Sequence, residues 1–241
     1  MNASTHDRAV SDVLAFAITV GLILASATTA YVVGVGELTD VQEYEREQKV
    51  VHAVELADDA FDAVYRGDAP RRTTELDVEG ASLTVEPSSV GVNVGFDGGG
   101  WNNTTHTTNA LSLSVDDTTA STESGLVARR VGGVAFDRRA PSFVCGGTTT
   151  LTVVELRGSW SYGGGSVVVE ATRDDRASEF ASWSNASRVV VDVSGSVNRG
   201  AWERALEANG WRTVPSADGQ YECSASTVHV RTVVVALLAR S

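Results

Sequence analysis

From Val13 to Gly36 the chain reads VLAFAITVGLILASATTAYVVGVG, without a charged residue. As a helix rising about 1.5 Å per residue, this run is about 36 Å long, enough to cross a hydrocarbon core of about 30 Å with some tilt. It predicts one transmembrane helix over residues 10–36. Beyond it the periodicity changes. Val50, Val54, Ala57, Phe61 and Val64 are spaced four, three, four and three apart, so they share one helical face while acids occupy the other. This predicts an amphipathic extension over residues 37–66, ended by Gly67 in a left-handed cap and by Pro70, which cannot continue a helix. The stripe around Phe61 is too apolar to face water and is expected to pack on the domain that follows.

After Pro70 the pattern becomes that of strands. Short Val, Thr and Leu runs recur between Gly, Ser and Asp: TTELDV, ASLTVE, VGVNVGF, ALSLSV, LVARRV, TTTLTVVEL, GSVVVEATR, SRVVVDV and STVHVRTVVVALL. One helix interrupts them, Arg199 to Ala208, closed by Asn209-Gly210. Gly98 to Thr108, GGGWNNTTHTT, reads as a loop. The fold class predicted is α+β: a long N-terminal transmembrane and amphipathic helix, then an antiparallel β-rich sandwich or roll with one short helix. The segments are a leader over 1–9, the spanning helix over 10–36, the extension over 37–66 and an extracellular β-rich domain over 73–241.

Charge refines this picture. The formal net charge is -12, and among 19 basic residues only Lys49 is a lysine. No basic stripe is present to track phosphates, so a nucleic-acid partner is not expected. An acidic surface of this kind suits a protein made for high salt. Between Glu37 and Arg66 stand nine acids against Arg46, Lys49 and Arg66, whereas Arg8 precedes the apolar run. Positive-inside bias then places the N-terminus in the cytoplasm, the β-rich domain outside the cell and membrane lipid around the helix. Sequons at Asn102, Asn103 and Asn185 are candidate glycosylation sites compatible with that placement.

Three readings of the N-terminus compete. Ala25-Ser26-Ala27 is an A-x-A site after an apolar stretch, as in a secretory signal peptide, but the apolar run continues to Val35. The chain could also keep its first residue as a plain signal anchor. The third reading is a cut between Ala9 and Val10 that retains the whole apolar helix. RAVSDVLAFAITVGLILAS resembles the N-terminus of archaeal type IV pilins and pilin-like proteins, with a short basic leader, a cut after a small residue and a hydrophobic helix. ELTDVQEYE, RGDAPRR, TTTLTVVELRGS and AWERALEANGW are similar to segments of a haloarchaeal pilin-like family of uncharacterised function. The resemblance implies a mature start at Val10 and a helix that packs against other subunits. It departs from bacterial-type pilins at the fifth place after the cut, where Leu14 stands instead of glutamate; the nearest acid is Asp12. Asp12 can pair with a freed amine at the helix N-terminus, or Ser11 and Asp12 can simply cap the helix.

Among other candidates, Asp192-Val193-Ser194-Gly195-Ser196 offers one carboxylate and two hydroxyls in the style of a metal-dependent adhesion site. Too little chain follows to supply the remaining ligands, so it reads as a turn leading into the Arg199 helix. Cys145 and Cys223 form an even pair, read as a disulfide, with two buried thiols as the alternative. The scattered histidines have no metal-ligand spacing, no cofactor motif is present, and no nucleophile elbow marks an enzyme. Trp101, Trp160, Tyr162, Trp183, Trp202 and Trp211 either line a carbohydrate surface or fill cores, with Trp160 and Tyr162 the ones expected in an exposed turn. Two functions fit: a membrane-anchored pilin-like subunit or accessory of a cell-surface assembly, whose partners are other such subunits, or a non-polymerising tethered ectodomain that binds a glycan or envelope partner.

Overall fold

The computed structural model describes residues 4–240, with the side chains of residues 14–29, 31, 41 and 44–240. It divides into two compact units, Met1–Arg46 and Glu47–Ser241. Helix α1 is Ser4–Arg66. The strands that follow are β1 (Arg71–Asp77), β2 (Ser82–Glu86), β3 (Val90–Phe96), β4 (Trp101–His106), β5 (Ala110–Val115), β6 (Thr118–Glu123), β7 (Leu126–Val131) and β8 (Val134–Arg139). After them come β9 (Thr148–Arg157), β10 (Ser161–Gly163), β11 (Ser166–Arg173), β12 (Glu179–Trp183) and β13 (Ala186–Asp192). Helix α2 (Arg199–Ala208) precedes β14 (Arg212–Thr213), β15 (Gln220–Ser224) and β16 (Thr227–Arg240).

Two expectations are corrected. Among the described residues no helix is long and apolar enough to cross a membrane. The transmembrane helix over 10–36 is therefore not supported, nor is single-pass placement in a cell membrane with the β-rich domain outside. The described side chains from Leu14 to Thr29 are mostly apolar. They also include the hydroxyls of Thr19, Ser26, Thr28 and Thr29, each turned back onto a carbonyl three or four residues earlier. The fold class changes as well, from α+β to mainly β. Strands dominate the compact unit, in three sheets rather than the two of a sandwich, and one pairing is parallel.

One sheet runs β1-β11-β16-β12, with β9 parallel to β16; the second runs β10-β2-β5-β6-β7-β8; the third runs β14-β15-β13-β3-β4. The second sheet is built on a meander whose turns are two residues long, Asp116-Asp117, Ser124-Gly125 and Gly132-Gly133. At Ser124-Gly125 and Gly132-Gly133 both residues have positive φ, which matches the strand twist. Two cores result. One gathers Val54, Phe61 and Val64 of α1 with Leu76, Leu83, Leu113, Val169 and Leu237. The other gathers Trp202 and Leu206 of α2 with Val92, Phe143, Leu151, Val191 and Tyr221.

Three strands feed both cores through opposite faces, as the two-residue period of a strand dictates. In β9, Leu151 and Val153 enter the α2 core, while Val154 and Leu156 enter the α1 core. In β16, Val228 and Val230 enter the α2 core and Val233, Val235 and Leu237 the α1 core. In β7, Leu126 and Ala128 flank Val127 in the same way. Burial on both faces is why these segments read as near-continuous apolar runs.

In the compact unit, the stripe Val50, Val54, Ala57, Phe61 and Val64 is buried, and α1 ends at Gly67, φ +89°, before Pro70. The acids of α1 are not merely solvated. Glu47 pairs with Arg129 at 2.6 Å, Glu55 with Arg138, and Asp58 and Asp59 both with Arg139 at 2.7 Å. Those arginines sit on the β7–β8 hairpin, so it is clamped to the helix by planar guanidinium contacts that lysine could not reproduce. All nine apolar runs form strands, and α2 has the predicted bounds. GGGWNNTTHTT is corrected: Trp101–His106 forms β4, the edge strand paired with β3. Its exposed Asn and Thr side chains carry no apolar alternation, which is why it reads as a loop.

Candidate functional site

The first unit presents an apolar helical surface. Leu14, Phe16, Ile18, Leu22, Ile23 and Leu24 are all exposed, Phe16 at 71%. At about 100° per residue, given 3.6 residues per turn, Leu14, Ile18 and Leu22 fall on one side, Phe16 and Ile23 on the opposite side, and Leu24 between. The helix thus has no polar face here, and a helix apolar on all sides is normally buried on all sides. Ala15, Ala17, Gly21, Ala25 and Ala27 interleave with the large residues and allow close helix approach.

The compact unit holds a polar cavity of about 390 Å³ beside the last turns of α1. Asp58 is buried and bound by the Thr122 hydroxyl and the Arg139 guanidinium. Burial is the larger influence and holds its carboxyl above the usual carboxylate range, against the opposing pull of Thr122 and Arg139. Burial works against the charge of Arg139, but its hydrogen bonds to Asp59 and Asp58 outweigh that and raise it further above its ordinary value. Tyr65 is 5% exposed, and its hydroxyl has no hydrogen-bond partner. Burial, then the charges of Asp58 and Asp62, push this phenol well above its ordinary value.

The residues singled out from sequence do not converge on one place. Ala9, Val10 and Asp12 lie outside the residues whose side chains are described. Cys145 and Cys223 are joined, with Cα atoms 5.6 Å apart. Asn102 and Asn103 stand exposed on the edge strand β4, and Asn185 is exposed in the turn before β13. The Asp192 carboxylate accepts from the backbone N–H and hydroxyl of Ser194 and from Gln220. Burial opposes the charge, but these donors prevail and hold the group below the usual range. Ser196 donates to Glu123 instead, so the D-x-S-x-S oxygens do not assemble around one cation. Asn198 precedes α2 without capping it through its side chain. Among the described residues no three His, Cys, Asp or Glu side chains group as a metal set.

The aromatic residues separate too. Trp202 and Trp211 are core, while Trp160, Tyr162 and Trp183 are half-buried against the cores, so Trp160 and Tyr162 do not stand free in a turn. Trp101 is exposed under the Arg188 guanidinium, 4.6 Å from the ring centre. Sequence reasoning missed Glu123, a fully buried carboxylate that accepts from Ser88, Thr108, Ser196 and Asn198 and ties three loops together. It also missed Tyr65, whose orphaned hydroxyl depends on tertiary packing and leaves no local signal.

No curated protein and no solved structure matches the chain. Residues 8–238 match a family described as Family of unknown function (DUF7289). With nearly the whole chain inside that match, the protein belongs to this family of unknown function.

Proposed function

We propose that the protein is a pilin-like subunit, without catalytic activity, that assembles with other copies through the apolar part of α1 while its β-rich unit forms the head. The observation that carries this reading is the exposure of Leu14, Phe16, Ile18, Leu22, Ile23 and Leu24 on every side of the helix. One neighbour covers one side only, so such a helix needs several, and identical copies are the partners always present at matching concentration. The small residues between the large ones favour helix on helix. The resemblance of RAVSDVLAFAITVGLILAS to archaeal pilins supports the same reading, and the acidic, lysine-poor composition supports work at high salt.

Because both native cysteines are paired, one introduced cysteine is a unique reporter. Leu14→Cys and Ile23→Cys, on opposite sides of α1, are made in the full chain, held in molar KCl and treated with a short bis-maleimide. Cross-linked oligomers from both positions are expected. A chain that stays monomeric by sedimentation and yields no cross-link from either position sinks the proposal. Transfer of both positions into added lipid vesicles, with no cross-link, would assign the helix to lipid instead.

A further inference from the structure

We infer that the outer face of the third sheet carries a binding site for a neutral sugar, centred on Trp101. The strand register sets Trp101, Gly95, Arg188 and Ser224 in one row across β4, β3, β13 and β15. Val189, Val191, Tyr221 and Cys223 turn into the α2 core, so by the two-residue period Arg188, Glu222 and Ser224 stand on the opposite face. Gly95 has no side chain, and Trp101 and Arg188 close in over it: a Cβ there would lie 3.2 Å from both. Glycine inside a strand weakens it, and one of its uses is to let another group come close. Beside this row is a cavity of about 380 Å³, within the range of small-molecule sites, lined by Trp101, Arg188, Glu222, Ser224 and Gly99.

Each of these side chains reaches solvent. Trp101 is 43% exposed, and the part of its indole that Arg188 leaves open is the apolar surface of the site. Arg188 and Glu222 keep side-chain exposures of 51% and 38%, and the 3.8 Å between them is too long for a hydrogen bond. The donors of one and the acceptors of the other therefore remain available to a ligand. Their pairing selects its chemistry. An anion drawn to Arg188 meets Glu222, and a cation drawn to Glu222 meets Arg188, so both are opposed. A purely apolar ligand would strip water from the two charges and return no hydrogen bonds. A sugar meets all three demands, since its hydroxyls accept from the guanidinium and donate to the carboxylate while its C–H surface covers the indole. The site lies within the compact unit, so this inference stands independently of helix assembly.

The test is isothermal titration of the full chain with cellobiose, maltotriose and mannobiose, with sodium D-glucuronate and D-glucosamine hydrochloride as charged probes. Saturable binding of at least one neutral sugar is expected, at least about tenfold tighter than either charged probe. Trp101→Ala removes the apolar surface and should weaken that binding by about tenfold or more. Glu222→Gln keeps the shape and deletes the charge, so it should weaken binding about tenfold, the worth of one hydrogen bond to a charged group, with circular dichroism unchanged. Phe180→Ala removes another exposed ring, outside the cavity, and should leave sugar affinity unchanged. The inference is overturned if no neutral sugar binds, if a charged probe binds as tightly, if Trp101→Ala or Glu222→Gln leaves affinity unchanged, or if Phe180→Ala weakens it as much as Trp101→Ala does. Where Trp101→Ala loosens the fold, Glu222→Gln decides alone.

Discussion

Two stretches of α1, Leu14 to Tyr31 and Val50 to Val64, have similar apolar content and opposite fates. In the first, large side chains are exposed on all sides; in the second, the five stripe residues are at most 5% exposed. The difference lies in the pattern. The later stretch keeps its apolar residues on one face and its acids on the other, so one layer of strands covers the first and arginines of a hairpin meet the second. The earlier stretch has no polar face to leave in water, so no single layer could satisfy it. Arrangement around the helix therefore separates a stretch that completes its own domain from one whose large apolar side chains stay exposed.

The sharpest break of this comparison is Phe61→Ala. Phe61 is fully buried among Val54, Val64, Leu76 and their neighbours, and truncating such a ring costs about 3–5 kcal/mol. Urea unfolding of the full chain followed by circular dichroism should show a loss in that range. A loss under about 1 kcal/mol would mean that the strands do not depend on the helix for their core.

How much was legible follows from what local patterning records. The four-three stripe, the Gly67 stop and nine apolar strand runs carried their structure in plain periodicity. β6 did not: TTASTE has no apolar alternation, yet nearly all of it is buried, because Thr118, Ser121, Thr122 and Glu123 find partners in α1 and the loops around α2. The parallel pairing of β9 with β16 was illegible because the strands lie far apart in sequence and neither records its neighbour. The disulfide was readable from cysteine number alone. The cavity was not, since Asp58 and Asp62 look like solvated helix acids until the Arg139 strand is placed beside them.

Next in size is the clamp on the acid face. Arg139→Ala would leave Asp58 buried without its guanidinium; as Arg139 itself is 42% exposed, water recovers part of the loss, and about 1–2 kcal/mol is expected. Asp58 also sets a pH dependence whose sign follows from its raised pKa. The folded protein holds this proton to a higher pH than the unfolded chain does, so the contribution of Asp58 to stability is full below about 3.8, its unfolded value, and is lost as pH rises through the raised folded value. Asp58→Asn removes that titration. The midpoint of the parent minus that of the variant, measured from pH 3 to 7, should therefore fall with rising pH. A difference that grows with pH would show that the Arg139 pair outweighs burial.

The smallest effect on stability belongs to the other stretch and is the most informative for function. Phe16→Ser replaces an exposed ring with a hydroxyl that can bond the carbonyl one turn back, as Thr19 does to Ala15. Phe16 belongs to neither core, so the unfolding free energy of the compact unit should move by less than about 0.5 kcal/mol. Association should respond instead. If copies pack through this surface, each subunit contact that buries the ring loses about 1.5–3 kcal/mol on removing it, which raises the association midpoint by about ten- to a hundredfold in concentration. Sedimentation velocity of parent and variant across that range reads the shift directly. A variant that associates like the parent would remove Phe16 from any helix contact, and one that loses head stability would erase the contrast between the two stretches of α1.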